Sequence, residues 1–267
     1  MPCTSLSAGG AGPGVEESGK LRRGALAFLA APIKIGLMET SRSVLAMQRL
    51  RQEKHVILPS LLLCDFGDLK SEIARLEAAG AKALHLDVMD GHFVPNLTYG
   101  MPIVAAIRKL TDLPIDVHLM ISEPSKYVRQ FAEAGADCVT IHAEIAEHVP
   151  STLELIRQQG AAVGLAINPA TPLEAVEPML PACDLLLIMS VDAGFGGQAF
   201  NPVALEKLQR ARAAFPDLLL EVDGGINLTT IGSCQQAGAS LFVVGSAIFG
   251  QDDYRVAIAR LADALAR

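Results

Sequence analysis

Eight short apolar runs alternate with amphipathic stretches from residue 55 to the C-terminus, and this alternation limits the fold more than any other feature of the sequence. Near-continuous apolar strands separated by helical patterns indicate a parallel sheet with both faces covered. The predicted strands are Val56–Leu63, Ala83–Val88, Ile115–Ile121, Cys138–His142, Ala162–Ile167, Leu185–Val191, Leu218–Val222 and Leu241–Val244.

The stretches between these runs have the pattern of amphipathic helices. The clearest are Leu69–Ala79, Lys126–Ala134, Val149–Gln159 and Ala204–Ala214. A glycine, a common helix stop, directly follows each of the first three. Strand–helix units over about 210 residues match the usual size of a single (β/α)8 TIM barrel. A doubly wound open sheet is the alternative, but it normally carries a glycine-rich dinucleotide loop after its first strand, and Cys64–Gly67 is not such a loop.

The N-terminal region does not share this pattern. Residues 1–19 are rich in Gly, Ser and Ala and offer little apolar surface to bury, which is typical of disorder. We therefore predict a disordered N-terminal extension, or an over-extended start, over residues 1–53. Residues 54–267 are predicted to form the catalytic barrel domain.

Composition and charge exclude several classes of function. The net charge is -7 and no run of Lys or Arg forms a basic face, so we expect no nucleic-acid partner. No apolar run reaches 18 residues, so we expect no membrane span. The five cysteines form no CxxC pair, which is typical of reduced thiols and predicts a cytoplasmic protein.

Polar residues at strand ends indicate the chemistry, because barrel enzymes work at the C-terminal ends of their strands. Side chains alternate along a strand, so His85 and Asp87 share one face of the second strand. His118 on the third strand and Asp223 on the seventh would converge with them if these faces point inward. Two imidazoles and two carboxylates suit zinc, iron(II), manganese or cobalt. Burying two carboxylates without a cation is costly, which favours a metal or catalytic site over core histidines and helix caps.

Glycines follow the last three strands. They lie in Gly194–Gln198, Gly224-Gly225 and Gly245-Ser246. Glycine lets backbone N–H groups approach a phosphate closely, and barrels often bind phosphate after strands seven and eight. One such loop is often only a turn, but three at the same end of a barrel predict a phosphate site.

Three methionines, Met89, Met120 and Met189, lie at or near strand ends. Any one of them alone is best explained as core filling, since methionine packs into irregular gaps. Together they predict a soft apolar lining beside a metal. Such a lining would raise the basicity of nearby carboxylates by desolvation.

From about Val56 to the C-terminus, the chain closely resembles the ribulose-phosphate 3-epimerase family. The matching segments are Pro59-Ser60, His85–Asn96 (HLDVMDGHFVPN), Asp116–Met120 (DVHLM), Gly194–Gln198 (GFGGQ), Glu221–Gly225 (EVDGG) and Gly245–Phe249 (GSAIF). The resemblance implies a barrel of the ribulose-phosphate-binding type. It also implies interconversion of D-ribulose 5-phosphate and D-xylulose 5-phosphate, in the pentose phosphate pathway or the Calvin cycle.

The resemblance also implies roles for single residues. Asp87 and Asp223 would be the acid/base pair on opposite faces of the substrate, and with His85 and His118 they would bind one divalent metal ion. The metal would polarise the substrate carbonyl and stabilise the cis-enediolate formed when carbon 3 loses its proton. The three methionines would line the site. The substrate would contact Ser60, His118, Gly194, Phe195, Gly196, Gly197, Asp223, Gly224, Gly225, Gly245 and Ser246.

Two departures from the family pattern lie near these residues. Asp192-Ala193 stands where the family usually has Asn-Pro before the glycine loop. The missing proline frees the backbone and the carboxylate adds negative charge, so phosphate affinity should fall unless Asp192 points away. Leu63 and Cys64 replace smaller residues after the first strand, and neither is a proposed ligand.

Three other functions remain open. A 3-epimerase for another ketose phosphate, such as allulose 6-phosphate, would use the same ligands. A phosphate-barrel decarboxylase or aldolase carries an Asp-x-Lys-x-x-Asp motif, and here Met89 stands where that lysine belongs, which argues against a lyase. A non-enzymatic sugar-phosphate binder does not need two opposed carboxylates. We also expect a homo-oligomer whose small-molecule partner is a sugar phosphate.

Overall fold

The computed structural model describes residues 41–145 and 147–266, and the strands in this part of the chain all belong to one parallel sheet. They are β1 (Val56–Pro59), β2 (Leu84–Met89), β3 (Ile115–Met120), β4 (Cys138–His142), β5 (Ala162–Ile167), β6 (Leu185–Met189), β7 (Leu219–Asp223) and β8 (Leu241–Val244). Their order is β1-β8-β7-β6-β5-β4-β3-β2. A parallel bridge between Ser60 and His85 brings β1 against β2, so the sheet closes into the predicted barrel.

The predicted strands are confirmed, with small differences at their ends. The first strand is shorter than predicted, because Leu61–Leu63 form a 3₁₀ turn. This turn places Leu61 in the core and leaves Leu63 half-exposed at the barrel mouth. Apolar content alone therefore did not show where the first strand ends.

The helices among the described residues follow the strands as predicted, apart from the first, which precedes β1, and with one exception among the connections. They are α1 (Arg42–Gln52), α2 (Leu69–Ala78), α3 (Met101–Arg108), α4 (Val128–Ala134), α5 (Val149–Gln158), α6 (Val203–Ala214), α7 (Ile231–Gln236), α8 (Ser246–Phe249) and α9 (Tyr254–Leu265). The exception lies between β5 and β6, where two 3₁₀ turns, Leu173–Ala175 and Leu180–Ala182, take the place of an α-helix. None of these helices is long and apolar enough to cross a bilayer.

One apolar layer lies on each side of the sheet. The outer layer packs the helices against the strands and includes fully buried residues such as Leu76, Ile107 and Leu220. The inner layer fills the barrel with side chains from alternate strand positions, among them Leu58 and Leu187. Because inward and outward side chains alternate along each strand, polar residues at inward positions are forced into the barrel interior.

Helix α1 closes the N-terminal end of the barrel. Its Met47 and Leu50 are buried and belong to the inner apolar layer. Ser41 caps its first turn by accepting a hydrogen bond from the Val44 amide at 3.3 Å. The Arg42 side chain forms an ion pair of 2.7 Å with Asp137, at the start of β4. These contacts hold α1 across the end of the barrel opposite the predicted site.

The predicted extension therefore differs from the structure in its last part. Disorder was expected over residues 1–53, whereas Arg42–Gln52 form α1, whose apolar face is buried. Residues 1–40 lie outside the described residues. The boundary between the extension and the barrel stays a prediction. Helix α1 shows that the packed part of the chain begins before residue 54.

Candidate functional site

The structure brings the four predicted metal ligands together. His85 and Asp87 lie on β2, His118 on β3 and Asp223 at the end of β7, and each offers a ligand atom within 4.8 Å of the others. The register of the sheet explains the meeting of the first three, because Asp87 lies directly opposite His118 on the neighbouring strand. We call these four residues the His/Asp cluster.

Asp87 is at the centre of this cluster. Its Oδ1 atom lies 3.3 Å from Nε2 of His85 and 3.2 Å from Nδ1 of His118. Its Oδ2 atom accepts a hydrogen bond of 2.6 Å from the Ser60 hydroxyl. Ser60, predicted to bind substrate, thus also holds a cluster carboxylate in place.

The two carboxylates of the cluster have pKa values displaced in opposite directions. Burial opposes the charge of Asp87, but His85 and His118 outweigh it and hold the pKa of Asp87 well below its usual range. Burial, together with the negative charge of Asp87, raises the pKa of Asp223 to about 7. A pair of carboxyl groups pushed apart in this way suits one group to act as a base and the other as an acid.

The cluster fits a divalent cation. The Nε2 atom of His85, on the side of Asp87, is buried and has no partner in hydrogen-bonding geometry among the described residues. Two imidazoles and two carboxylates form a nitrogen and oxygen donor set of the kind that divalent transition metals take. The cluster therefore has both the donors and the negative charge that a cation needs.

Two buried carboxylates that the sequence analysis did not select lie one layer deeper in the barrel. Asp116 Oδ2 and Glu221 Oε1 lie 2.8 and 3.1 Å from Nδ1 of His85. Burial raises the pKa of Glu221 to about 7, and the negative charge of Asp116 is the second largest cause of the rise. A signal was present in the sequence, because Asp116 precedes His118 by two positions and Glu221 precedes Asp223 by two. The same alternation that selected the ligands places these acids on the same inward face.

A cavity of about 230 Å³ opens above the cluster at the C-terminal end of the strands. His85 and His118 are fully buried beneath it. The other predicted site residues line it: Ser60, Asp87, Met89, Met120, Met189, Gly194, Phe195, Gly196, Gly197, Asp223, Gly224, Gly225, Gly245 and Ser246. One cavity thus combines an acidic, apolar-lined floor with a rim of glycine loops.

The glycine loops after β7 have a backbone that side chains tolerate poorly. Gly224 and Gly225 have φ angles of 104° and 62°. A Cβ atom on Gly225 would lie 2.7 Å from the backbone nitrogen of Phe200. This close approach leaves no space for a side chain at Gly225.

Residues 56–249 match the model of the ribulose-phosphate 3 epimerase family, which is more than half of the chain. The chain belongs to the ribulose-phosphate 3-epimerase family.

Curated relatives in this family are similar over nearly their whole length. The ribulose-phosphate 3-epimerase of Bacillus subtilis is 47% identical over 210 residues, covering 77% of this chain and 97% of that protein. The Escherichia coli K12 enzyme is 44% identical over 220 residues, covering 80% of this chain and 98% of that protein. The Synechocystis enzyme is 48% identical over 210 residues, covering 76% and 91%.

Solved structures with lower sequence identity share the fold. A mutant tryptophan synthase alpha-subunit from Pyrococcus furiosus has a TM-score of 0.62 at 17% identity, covering 80% of this chain and 99% of that one. A thiamine phosphate pyrophosphorylase from Pyrococcus furiosus has a TM-score of 0.57 at 18% identity, covering 81% and 98%. At these identities the likeness supports the barrel fold alone.

The departures from the family pattern lie at the rim of the cavity. Asp192 is exposed and lines the cavity beside the glycine loop, and its carbonyl accepts a hydrogen bond of 2.8 Å from the Gln198 side chain. The Ala193 amide, which a proline would lack, donates to the Asn168 side chain at 3.1 Å. A polar contact to Asn168 thus holds the loop where the family usually has a proline ring. Leu63 also lines the cavity.

Proposed function

We propose that this chain is a ribulose-phosphate 3-epimerase that interconverts D-ribulose 5-phosphate and D-xylulose 5-phosphate. The observation that carries the proposal is the pair Asp87 and Asp223, one buried and one half-buried carboxylate at the floor of one cavity with oppositely displaced pKa values. Their strands, β2 and β7, are separated by β1 and β8 around the barrel. The two carboxylates therefore reach the substrate from different sides of the mouth, as inversion at one carbon requires.

The reaction is a proton exchange at carbon 3, next to the carbonyl at carbon 2. One carboxylate takes the proton from carbon 3, and the electron pair of the broken C–H bond forms a double bond between carbons 2 and 3 as negative charge moves to the carbonyl oxygen. The other carboxyl group, already protonated, then delivers its proton to the opposite face of carbon 3. Each turnover exchanges the protonation states of Asp87 and Asp223, so the two groups serve both directions.

His85, Asp87, His118 and Asp223 would hold one divalent metal ion, which we propose to be zinc, iron(II), manganese or cobalt. When bound, such an ion supplies Lewis-acid stabilisation of the negative charge that develops on the substrate oxygens. The chain's own contribution is to fix the ligand positions, through the Ser60 hydrogen bond to Asp87 and the carboxylates beside His85.

The rim would hold the substrate phosphate. We propose that the backbone amides of Gly196, Gly197, Gly225 and Gly245, with the Ser246 hydroxyl, donate to its oxygens. Support comes from their common place on the cavity rim, opposite the strands that carry the histidines. The three methionines line the floor and exclude water from the reacting carbons, which strengthens electrostatic interactions there.

The deciding experiment follows the carbon 3 proton in deuterated water. The two-carboxylate mechanism predicts solvent deuterium at carbon 3 of the epimerised product from the first turnovers. Transfer of the original carbon 3 proton into the product at low conversion would rule out the two-base assignment. Parallel assays with allulose 6-phosphate separate the two epimerase functions, and turnover before and after removal of metal by a chelator tests the cation.

Two further predictions concern the setting of the enzyme. We propose a cytoplasmic protein, and support for this comes from the free thiols of the described cysteines, Cys64, Cys138, Cys183 and Cys234. Assembly into a homo-oligomer stays a prediction, and light scattering coupled to size exclusion measures it.

A further inference from the structure

His118 has a second ring nitrogen, which faces away from the His/Asp cluster and toward β4. This atom, Nε2, lies 2.8 Å from Nε2 of His142, the last residue of β4. The ring centroids lie 4.9 Å apart and the ring planes differ by 26°, and the two facing nitrogens lie within N–H···N hydrogen-bonding distance. Both side chains are fully buried, so the two imidazoles must satisfy each other at this contact.

The far side of His142 is held by a carboxylate. Its Nδ1 atom lies 2.9 Å from Oε2 of Glu144. The other oxygen of Glu144 accepts hydrogen bonds from the Asn168 amide, at 2.8 Å, and from the Thr171 hydroxyl. Burial opposes its charge, but these hydrogen bonds outweigh it and lower the pKa of Glu144 to about 2. A carboxylate only accepts hydrogen bonds, so the proton at this contact belongs to His142 Nδ1.

These contacts have a direction that runs back to the cluster. A neutral His142 with its proton on Nδ1 has a lone pair on Nε2 and accepts there. His118 must then donate from Nε2, which leaves a lone pair on its Nδ1. That atom lies 3.2 Å from Asp87 Oδ1 inside the cluster, where the carboxylate alone would accept an N–H group and a bound cation would instead take the lone pair. The opposite tautomer would point an N–H group at the place where a cation would sit.

We propose that Glu144, acting through His142, fixes the tautomer of His118 whose Nδ1 lone pair faces the cluster, and so prepares His118 to bind the metal. The inference rests on the metal site proposed above. His142 and Glu144 are positioning residues, because they act through His118. Partners of this kind set ligand orientation and basicity, and their loss typically lowers metal affinity about 10- to 100-fold.

We call the contacts that join Glu144 to His142 and His142 to His118 the relay. The variant Glu144→Gln tests its direction. The Asn168 amide can only donate, so the carbonyl oxygen of the new amide takes the place of Oε1 and its NH₂ group faces His142. His142 would then accept at Nδ1 and donate from Nε2, which moves the proton of His118 to Nδ1. We expect zinc affinity, measured by competition with a chromophoric chelator, to fall about 10- to 100-fold.

Glu147→Gln is the matched control. Glu147 lies in the same loop and accepts hydrogen bonds from the amide and hydroxyl of Ser125, outside the relay. Glu147→Gln makes the same change of charge and shape as Glu144→Gln, and the zinc affinity of this control variant should stay within about two-fold of the wild-type value.

A second variant separates tautomer control from loss of structure. His142→Phe places an aromatic ring beside Phe93, whose ring lies 4.9 Å from that of His142. It removes the partner of His118 without imposing the wrong tautomer, so its zinc affinity should lie between those of wild type and Glu144→Gln. A purely structural role predicts the reverse order, because His142→Phe is the larger change in the core.

Long-range ¹H–¹⁵N correlation spectra of the histidine side chains read the tautomers directly. In the zinc-loaded protein we expect the proton of His118 on Nε2 and that of His142 on Nδ1. If wild type binds zinc and Glu144→Gln binds it equally, with unchanged tautomers, the relay is wrong while the metal site stands. If wild type does not bind zinc, the metal site and the relay both fail. Protons on both nitrogens of His142 in the zinc-loaded protein would also overturn the relay.

Discussion

The two ends of the barrel interior contain different kinds of side chain. The C-terminal end holds titratable groups: the His/Asp cluster, of which only Asp223 is half-buried, and the buried residues Asp116, Glu221 and His142. The N-terminal end buries apolar side chains, and Met47 and Leu50 of α1 cover it. Burying carboxylates opposes folding, whereas burying apolar surface drives it. The same strands therefore carry functional residues at their C-terminal ends and apolar residues that stabilise the fold at their N-terminal ends.

This difference gives opposite expectations for the carboxylates at the two ends of the barrel. Asp87→Asn or Asp223→Asn removes an acid/base group and also a predicted metal ligand. The fall in kcat should therefore exceed the roughly 10²–10⁴-fold typical of general acid–base catalysis alone. The melting temperature should stay the same or rise in Asp223→Asn, whose raised pKa shows that the fold opposes its charge, and it should fall in Asp87→Asn, whose charge His85 and His118 favour. Steady-state kinetics and calorimetry on the same preparations measure both quantities.

Asp137→Asn is the counterpart at the opposite end. Asp137 is buried, pairs with Arg42 and Arg108, and accepts from the Ile115 amide at 2.9 Å. Weakening these contacts should cost about 1–3 kcal/mol of stability. Its kcat should stay within a few-fold of the wild-type value. A large loss of kcat in Asp137→Asn, with the fold intact, would break the comparison between the two ends.

The next largest effect is expected from removal of α1. Truncation before Lys54 exposes the apolar layer that Met47 and Leu50 cover. Two buried side chains of this size contribute about 3–6 kcal/mol together, so the free energy of unfolding should fall by that amount. The C-terminal site is complete without α1, so kcat should stay within a few-fold. Chemical denaturation and steady-state kinetics of the truncated protein check both expectations.

Single substitutions in α1 separate packing from helix formation. Leu50→Ala should cost about 2–5 kcal/mol, because Leu50 is 5% exposed and lies in the inner layer. Leu45→Ala is its control, since Leu45 is 42% exposed on the same helix and should change stability by less than about 0.5 kcal/mol. Equal losses in the two variants would show that burial in the inner layer does not determine the contribution of α1, since alanine is at least as good a helix former as leucine.

A smaller effect is expected at the rim of the cavity. Gly225→Ala places a Cβ atom 2.7 Å from the Phe200 backbone, so the loop must shift, and KM should rise by roughly ten-fold with a smaller change in kcat. Gly197→Ala is the matched control. Gly197 also has a positive φ, of 79°, but no atom lies within 4 Å of the added Cβ. A KM for Gly197→Ala as high as that for Gly225→Ala would show that backbone strain, rather than the close approach to Phe200, determines phosphate binding.

Most of the fold could be predicted because both of its signals are local. Apolar runs show the strands, and alternation places His85, Asp87, His118 and Asp223 on inward faces. Alternation also pointed to Asp116 and Glu221, but their role depends on distance to His85, which one strand's pattern does not contain. The role of His142 depends likewise on a contact between neighbouring strands.

The packing of α1 could not be predicted from its own sequence. Its apolar face follows a region with little to bury, and Met47 and Leu50 gain their place only because the closed barrel has an open end to cover. A contact of this kind joins residues that are far apart in the chain. Local pattern therefore shows an amphipathic segment at most and does not show what it packs against.

The smallest expected effect concerns Asp192, the residue that departs from the family pattern. Asp192 lines the cavity beside the glycine loop, and a carboxylate there would repel a bound phosphate. Asp192→Asn removes that repulsion, and because the side chain is exposed, the gain should be about 0.5–1 kcal/mol, a two- to five-fold fall in KM. The gain should shrink as ionic strength rises, since salt screens exposed charges. Asp217→Asn is the matched control: it makes the same change in net charge near α1, where the Asp217 carbonyl accepts a hydrogen bond from Arg51. An unchanged KM for Asp192→Asn at low salt would show that the carboxylate points away from the phosphate.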